Sequence, residues 1–434
     1  MRSAFFFLLL AGLTACNDVS DLSLKPDEAF LKFYGLEGNQ EGVDMVIGPD
    51  NDYYLLGNST IRNNKQIYVL KVDKAGDMIW QKTFGGAREE SAKDMELTSA
   101  GHLAIVADVQ SQSGDKDILV LIVGRDGLRL DSTVYVHSLK DEEAKTITPI
   151  TTGFLVAGST KETRPDPGRE NPNQDNRIDG IILRLNSDLE PYTGIWGDGT
   201  GRALQRGTGR VFTIHKVTQE NANLYTVFAY NDAGALNRNV ESENDVLIFQ
   251  LSNVGAEVTT QFPFGRPDEN EVVTSVGRDN LTSGYAVTGI STKPNGRQDV
   301  FYLFVGVGGG TVTGGNLTLI TSNLSQNQSE IPMASVVTSF GSGSFLVGAT
   351  KNFMPDQTTL QGDIFLKLVD RQGSDLWRDP PAVTFGGVAN DFVGNVFEGP
   401  DRRILVLGTM GIGDVQGQQK MVLIKLNRQG KFEP

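Results

Sequence analysis

Few residues in this chain are of a type that does chemistry, and their spacing closes several chemistries. Cys16 is the single cysteine among 434 residues, so neither an intrachain disulfide nor a thiolate metal cage can form. The three histidines, His102, His137 and His215, lie far apart, with no H-x-x-H or H-x-x-x-H spacing. A catalytic zinc needs about three protein ligands converging on one point, so no metal site is expected. Carboxylates and amides crowd together in "PDNDYY" (49–54) and "DNRIDG" (175–180). The order Asp-x-Asp-x-Asp-Gly of a calcium loop is missing, and Asp and Asn are also the ordinary residues of tight turns. The glycine-rich "GVGGG" (306–310) lacks a Gly-Lys-Ser/Thr ending and a following helix pattern, so it is not a phosphate loop. No paired carboxylates and no nucleophile beside a base stand out, so a non-enzymatic chain without a cofactor is the expectation. Charge excludes one more class: 39 Lys and Arg stand against 53 Asp and Glu, a formal −14, with no basic run to form a nucleic-acid groove.

The surroundings of Cys16 say what that thiol is for. "MRSAFFFLLLAGLTAC" has one cation, Arg2, and an apolar run from Ala4 to Leu13. Ten apolar residues are about half of what a bilayer-spanning helix needs, so the segment reads as an export signal. Leu13-Thr14-Ala15-Cys16 resembles the bacterial lipobox, matched at all four positions. The resemblance implies cleavage after residue 15 and acylation of Cys16, which becomes the first residue of the mature chain. Several acyl chains at about 0.8 kcal/mol per buried carbon anchor a protein without spanning the membrane. The polar "NDVSDLSLKPD" after Cys16 reads as a tether that reaches at most about 35 Å when extended. The expected layout is a signal over 1–15, a tether over 16–27 and a folded body over 28–434, at the outer membrane on its periplasmic or cell-surface face.

The body is repetitive. An apolar strand followed by a polar turn recurs seven times, as "IYVLKVDKAG" (67–76), "ILVLIVGRDG" (118–127), "IILRLNSDL" (181–189), "VLIFQLSNVG" (246–255), "VFYLFVGVGG" (300–309), "IFLKLVDRQG" (364–373) and "MVLIKLNRQG" (421–430). Successive turns are 51 to 66 residues apart. A second, nearly continuous apolar run precedes each, such as "YYLLGNS" (53–59) or "FLVAGST" (154–160). Runs this short and this apolar fit strands covered on both faces. A more alternating strand opens each unit, such as "AKDMELT" (92–98), and a fourth follows the turn, such as "MIWQKTFGG" (78–86). Fifty glycines, above the roughly 7% average, sit mostly at these turns. Four antiparallel strands per unit and this period predict an all-β, seven-bladed propeller.

The stretch 79–127, "IWQKTFGGAREESAKDMELTSAGHLAIVADVQSQSGDKDILVLIVGRDG", resembles the W-x-K-T-F-G-G propeller repeat of bacterial, especially Bacteroidota, secreted and lipid-anchored proteins. The likeness is clear over 79–127 and 363–430 and blurred over 190–330. It implies the propeller fold and an envelope setting, for instance alongside an outer-membrane transporter, and it brings no catalytic residues.

The seventh unit ends "NRQGKFEP" and lacks a fourth strand, whereas "FLKFYG" (30–35) is a fourth strand with no unit of its own. Residues 29–35 are therefore expected to close the ring as the outermost strand of the last blade. In an up-and-down blade the second-to-third and fourth-to-first connections share one rim, and the extra length falls there: 161–178, 198–209, 231–244, 322–332 and 351–362. Loops on a rigid scaffold are where recognition usually resides. Arg164, Asp166, Arg169, Glu170, Asp175 and Arg177, with Trp196, Asn237, Arg238 and Phe353, are the candidate partner-binding residues. Their mixed charge suits an envelope protein interface, or sugar hydroxyls, better than an apolar pocket. A recognition or scaffold module is the expected function; a glycan-binding module or a propeller enzyme acting on glycans is the alternative.

Overall fold

The computed structural model describes residues 29–136, 141–161, 178–192, 204–206, 211–231, 245–259, 262–308, 311–321, 335–353, 361–387, 389–412 and 418–433. All regular structure in them is strand. A short β1 (Phe30–Tyr34) comes first. The first blade is β2 (Asn39–Ile47), β3 (Tyr53–Ile61), β4 (Asn64–Val72) and β5 (Met78–Phe84); the second is β6 (Glu90–Leu97), β7 (Leu103–Gln110), β8 (Lys116–Val123) and β9 (Arg129–Tyr135). The third holds β10 (Glu142–Ile150), β11 (Gly153–Thr160), β12 (Asp179–Leu185) and β13 (Leu204–Arg206); the fourth β14 (Phe212–Asn221), β15 (Leu224–Asn231), β16 (Asp245–Ser252) and β17 (Phe262–Phe264). The fifth holds β18 (Asn270–Arg278), β19 (Gly284–Thr292), β20 (Gln298–Gly308), β21 (Thr311–Gly314) and β22 (Thr318–Thr321). The sixth is β23 (Ser335–Phe340), β24 (Ser344–Phe353), β25 (Gln361–Asp370) and β26 (Val383–Phe385), followed by β27 (Phe392–Glu398), β28 (Ile404–Gly411) and β29 (Gln419–Leu426).

These strands make seven antiparallel sheets in a ring, a seven-bladed β-propeller. The last sheet runs β1-β29-β28-β27, so the orphan N-terminal strand does close the ring. Phe30 pairs with Lys425 and Tyr34 with Met421. One difference from the sequence reading lies in the fifth blade, where the outermost strand is split. β20 runs on into "GVG", β21 folds back on its far end, and β22 pairs with its near end.

Seven apolar clusters hold the ring, one between each pair of neighbouring blades. The closing seam is packed like the rest: Phe30, Tyr34, Leu405, Leu407, Met421 and Leu423 of the last blade meet Met45, Tyr53, Leu55, Tyr68 and Leu70 of the first. The second strands are buried over all but their last one or two residues, as in β3 and β7, because each lies in mid-blade with a sheet on either side.

In six blades the turn from third to fourth strand shares one construction. In the first blade Asp73 N–H bonds the Asp77 carbonyl (2.9 Å) and Gly76 N–H the Asp73 carbonyl (2.9 Å). The same pair of bonds recurs at 124–128, 186–190, 252–256, 370–374 and 427–431. The fourth turn residue has positive φ, as at Gly76 (78°) and Gly430 (74°), which is why glycine recurs there. The first turn residue accepts inward hydrogen bonds: Asp370 Oδ1 takes the N–H groups of Gln372 and Ser374, both at 2.8 Å.

An aromatic side chain on, or just ahead of, several fourth strands then caps the next blade's turn. Tyr34 Oη donates to the Gly76 carbonyl (2.7 Å), Trp80 Nε1 to the Arg125 carbonyl (3.0 Å) and Trp377 Nε1 to the Arg428 carbonyl (3.1 Å). Trp80 and Trp377 thus pack one blade against the turn of the next.

Candidate functional site

The ring surrounds a cavity of about 650 Å³ lined by the innermost strand of every blade. Six of the seven inner strands carry a one-residue register slip at the same place: Gly42/Asp44, Ala92/Asp94, Ala144/Thr146, Ile214/Lys216, Val273/Ser275 and Val393/Asn395. Such a bulge sets two residues against one on the partner strand, so two successive side chains reach the channel where alternation would send one. Lys93 with Asp94, Lys145 with Thr146, His215 with Lys216 and Thr274 with Ser275 line it in this way. β23 of the sixth blade pairs without a slip.

The bulged residues staple one blade to the next. Asp44 accepts the N–H of its neighbour Met45 at Oδ1 (2.8 Å) and, across the blade boundary, the N–H of Met95 at Oδ2 (2.9 Å). One blade further on, Asp94 Oδ2 accepts Ile147 N–H (2.9 Å) and the Thr146 hydroxyl (2.6 Å). Ser275 accepts Val337 N–H (3.1 Å) in the same manner. A second tier runs from the second strands: Asn58 Oδ1 takes Ala92 N–H (2.8 Å), Asp108 Oδ1 takes Ala144 N–H (2.9 Å), and Thr409 Oγ1 takes Gly42 N–H (2.9 Å).

The lysines of the channel are gathered on one wall, and Arg278 stands on the facing one. Lys93 pairs with Asp108 (3.0 Å), Lys145 with Glu143 (2.8 Å) and Lys216 with Glu96 (3.0 Å) and Asp94 (3.4 Å), all from the second, third and fourth blades. The facing wall presents Thr274, Ser275, Val336, Gly394 and Asn395. Burial, together with the nearby Asp94 carboxylate, pushes the Asp44 carboxyl well above the usual carboxylate range. Burial also pushes Asp94 up, but Lys216 and the bonds from Thr146 and Ile147 outweigh it and hold Asp94 below its ordinary value. Lys216 is held charged by Asp94 and Glu96 against its burial. Burial, helped by Lys145 and Lys216, pulls His215 down to about 3, so its imidazole is neutral. Among the described residues no group of three His, Cys, Asp or Glu side chains is placed to hold a metal ion.

Apart from His215, weighed only as a metal ligand and set aside, none of these channel residues was singled out from the sequence, although a signal is present. "GVDM", "AKDM", "AKTI", "IHKV", "VTSV" and "VGNV" occupy equivalent places, and in most of them polar residues interrupt an otherwise alternating strand just before a buried apolar residue. The residues that were singled out lie elsewhere. Cys16, Arg164, Asp166, Arg169, Glu170, Asp175, Arg177, Trp196, Asn237 and Arg238 lie outside the described residues. Phe353 ends β24 on the long-loop rim, and its side chain too lies outside what is described.

Comparison with known proteins adds little. No family model matches the chain and no curated protein matches it. Among solved structures the chain is similar to the plexin A4 extracellular region, at 8% identity over 89% of this chain and 50% of that one, TM-score 0.49. It is also similar to Sqt1 of Chaetomium thermophilum (9% identity, 90% and 96% of the two chains, TM-score 0.40) and to a protein of unknown function from Bacteroides caccae (10% identity, 80% and 94%, TM-score 0.38). The chain spans half the length of the plexin chain.

Proposed function

We propose that the chain is an exported, lipid-anchored propeller that acts as a non-catalytic recognition or scaffold module, holding an envelope protein partner on its long-loop rim. The observation that supports a scaffold most directly is the use made of the channel carboxylates. Asp44 and Asp94 hold the backbone of the next blade, and Lys216 takes up what acceptor capacity Asp94 has left. A glycosidase needs carboxyl groups free to reach a substrate; these are engaged in keeping the ring rigid. Rigid support is what a set of long recognition loops requires. The lipobox-like Leu13–Cys16 supports export and anchoring, and the repeat resemblance supports an outer-membrane setting, for instance beside a transporter.

A second reading draws on the channel itself, whose polar, partly charged lining of about 650 Å³ has room for a sugar. In that reading the chain is a glycan-binding module, with enzyme action on glycans as its further extension.

Crosslinking and affinity purification from native membranes tests the first reading. The wild type is compared with a variant whose 161–178 connection is shortened to a tight turn. Loss of one or more envelope proteins from the variant's catch is expected. Equal recovery of the same partners by both chains would remove this loop from the interface, and recovery of none by either would favour the channel.

A further inference from the structure

The strand order fixes where the anchored end leaves the ring. β1 runs antiparallel to β29, and β29 ends in the turn 427–431. Phe30 therefore lies at the rim of short turns, with its ring against Gly76 in the equivalent turn of the first blade. The chain from Cys16 meets the fold at the outer edge of that rim, at the opposite end of the ring from the long connections.

The same rim carries the exposed apolar side chains. Of fourteen exposed large hydrophobics among the described residues, ten sit at the short-turn ends of their strands or in the turns themselves. Met78, Leu128, Val254, Leu376 and Phe432 each lie within or just after the third-to-fourth turn of a different blade, and Leu281 lies in a first-to-second turn. Scattered singly, such residues need no explanation; repeated around one rim, they form a broken apolar ring. Turn backbones there are closed by their own hydrogen bonds, so covering the rim strands few polar groups. Charges beside it are of mixed sign, with Lys74, Arg125 and Lys431 among Asp77, Asp126 and Asp188.

We propose that the short-turn rim is the face that rests on the lipid surface, so that the long-loop rim points away from the membrane towards its partner. This rests on the lipid-anchored reading of Cys16. The anchor delivers this rim to the bilayer, the turn-end apolar side chains sink into the headgroup boundary, and the mixed charges favour neutral over anionic lipid. The long loops are then presented outward at the full height of a blade.

Hydrogen exchange read by mass spectrometry tests the orientation. The mature chain from Cys16 onward is coupled through that thiol to a maleimide phospholipid in phosphatidylcholine vesicles. It is compared with the same chain blocked by N-ethylmaleimide in solution. Several-fold slower exchange is expected over 73–79, 124–130 and 427–432 on the vesicles, with 86–90 and 111–116 on the opposite rim unchanged. The triple variant Met78→Asp, Leu128→Asp, Leu376→Asp, all at exposed positions, should lose the protection while keeping its melting temperature. Equal exchange at both rims, or protection at 111–116, would overturn the proposal. So would protection of the short-turn rim in the blocked chain at high concentration, which would make it a contact between two copies. Because the coupling is synthetic, the result is independent of cellular lipidation. The mass of the N-terminal peptide from cells tests that separately: an unacylated Cys16 would defeat the anchored reading whatever the vesicles show.

Discussion

The side-chain amide of Asn395, in the last blade, donates a hydrogen bond to the carboxylate of Asp44, in the first, across 351 residues of sequence. With Asp44 in turn accepting Met95 N–H of the second blade, three blades are tied through one buried carboxyl. Replacing Asp44 by Ala leaves the N–H groups of Met45 and Met95 without their acceptor. At about 1–3 kcal/mol for each buried orphan, a loss on the order of 3 kcal/mol is expected in urea unfolding. A loss below about 0.5 kcal/mol would show that the staple is dispensable.

Ring closure depends on β1. Phe30 is buried in the seam between the last and first blades, and truncating a buried Phe costs about 3–5 kcal/mol. Phe30→Ala is expected to lower the melting temperature clearly, and deletion of 29–35 to lower it further or prevent folding. Leu31→Ala, at an exposed position on the same strand, should change it little. Equal effects at 30 and 31 would mean that β1 does not seal the ring.

Stability should fall as pH rises from about 4.3 towards neutrality, through Glu271. Its side chain is fully buried; Oε1 accepts the Ser291 hydroxyl (3.0 Å), and Oε2 has no hydrogen-bond partner. Burial first, then the carboxylates of Asp245 and Glu269, push it up to about 7 against two opposing hydrogen bonds. An unfolded glutamate titrates near 4.3. Between those values the folded chain holds a proton that the unfolded chain has released, so the contribution is fully present below about pH 4.3 and lost by about pH 7. Glu271→Gln removes this slope and should add on the order of 2 kcal/mol at pH 8. Parallel wild-type and variant profiles over that range would contradict the assignment.

The turn glycines are conformational. Gly127 has φ of 80°, and a Cβ there would lie 3.1 Å from the Trp80 ring. A left-handed non-glycine residue costs about 1–2 kcal/mol, so Gly127→Ala should cost about that much or more. Gly114, also at positive φ but with open space around it, gives the backbone contribution alone when changed to Ala. If Gly114→Ala costs as much as Gly127→Ala, the packing of Trp80 on the turn adds nothing.

Much of the fold was legible before any coordinates. Strand periodicity, a repeated polar turn that mostly ends in glycine and a spare fourth strand at 30–35 are local patterns, and local sterics and binary patterning read the same in one blade as in seven. That is why β1 could be assigned to β29 across nearly the whole chain. The split outer strand of the fifth blade escaped, because "GVGGG" signals a turn without saying how far β20 extends beyond it.

The channel was not legible, for a different reason. Lys93, Asp94 and Lys216 come from units about fifty to seventy residues apart, and each reads alone as an ordinary polar residue on an alternating strand. Only ring closure brings them together, and only the bulge turns two successive side chains inward. The same holds for the rims. The sequence determined that the chain makes seven blades and closes them with its first strand, and its first sixteen residues raised the expectation of export and a lipid anchor. Tertiary structure decided which carboxylates hold neighbouring blades, which rim gathers the exposed apolar residues and at which rim β1 begins. Those relations depend on the direction in which each strand crosses the ring, and that direction is set by pairing with strands far away in the chain.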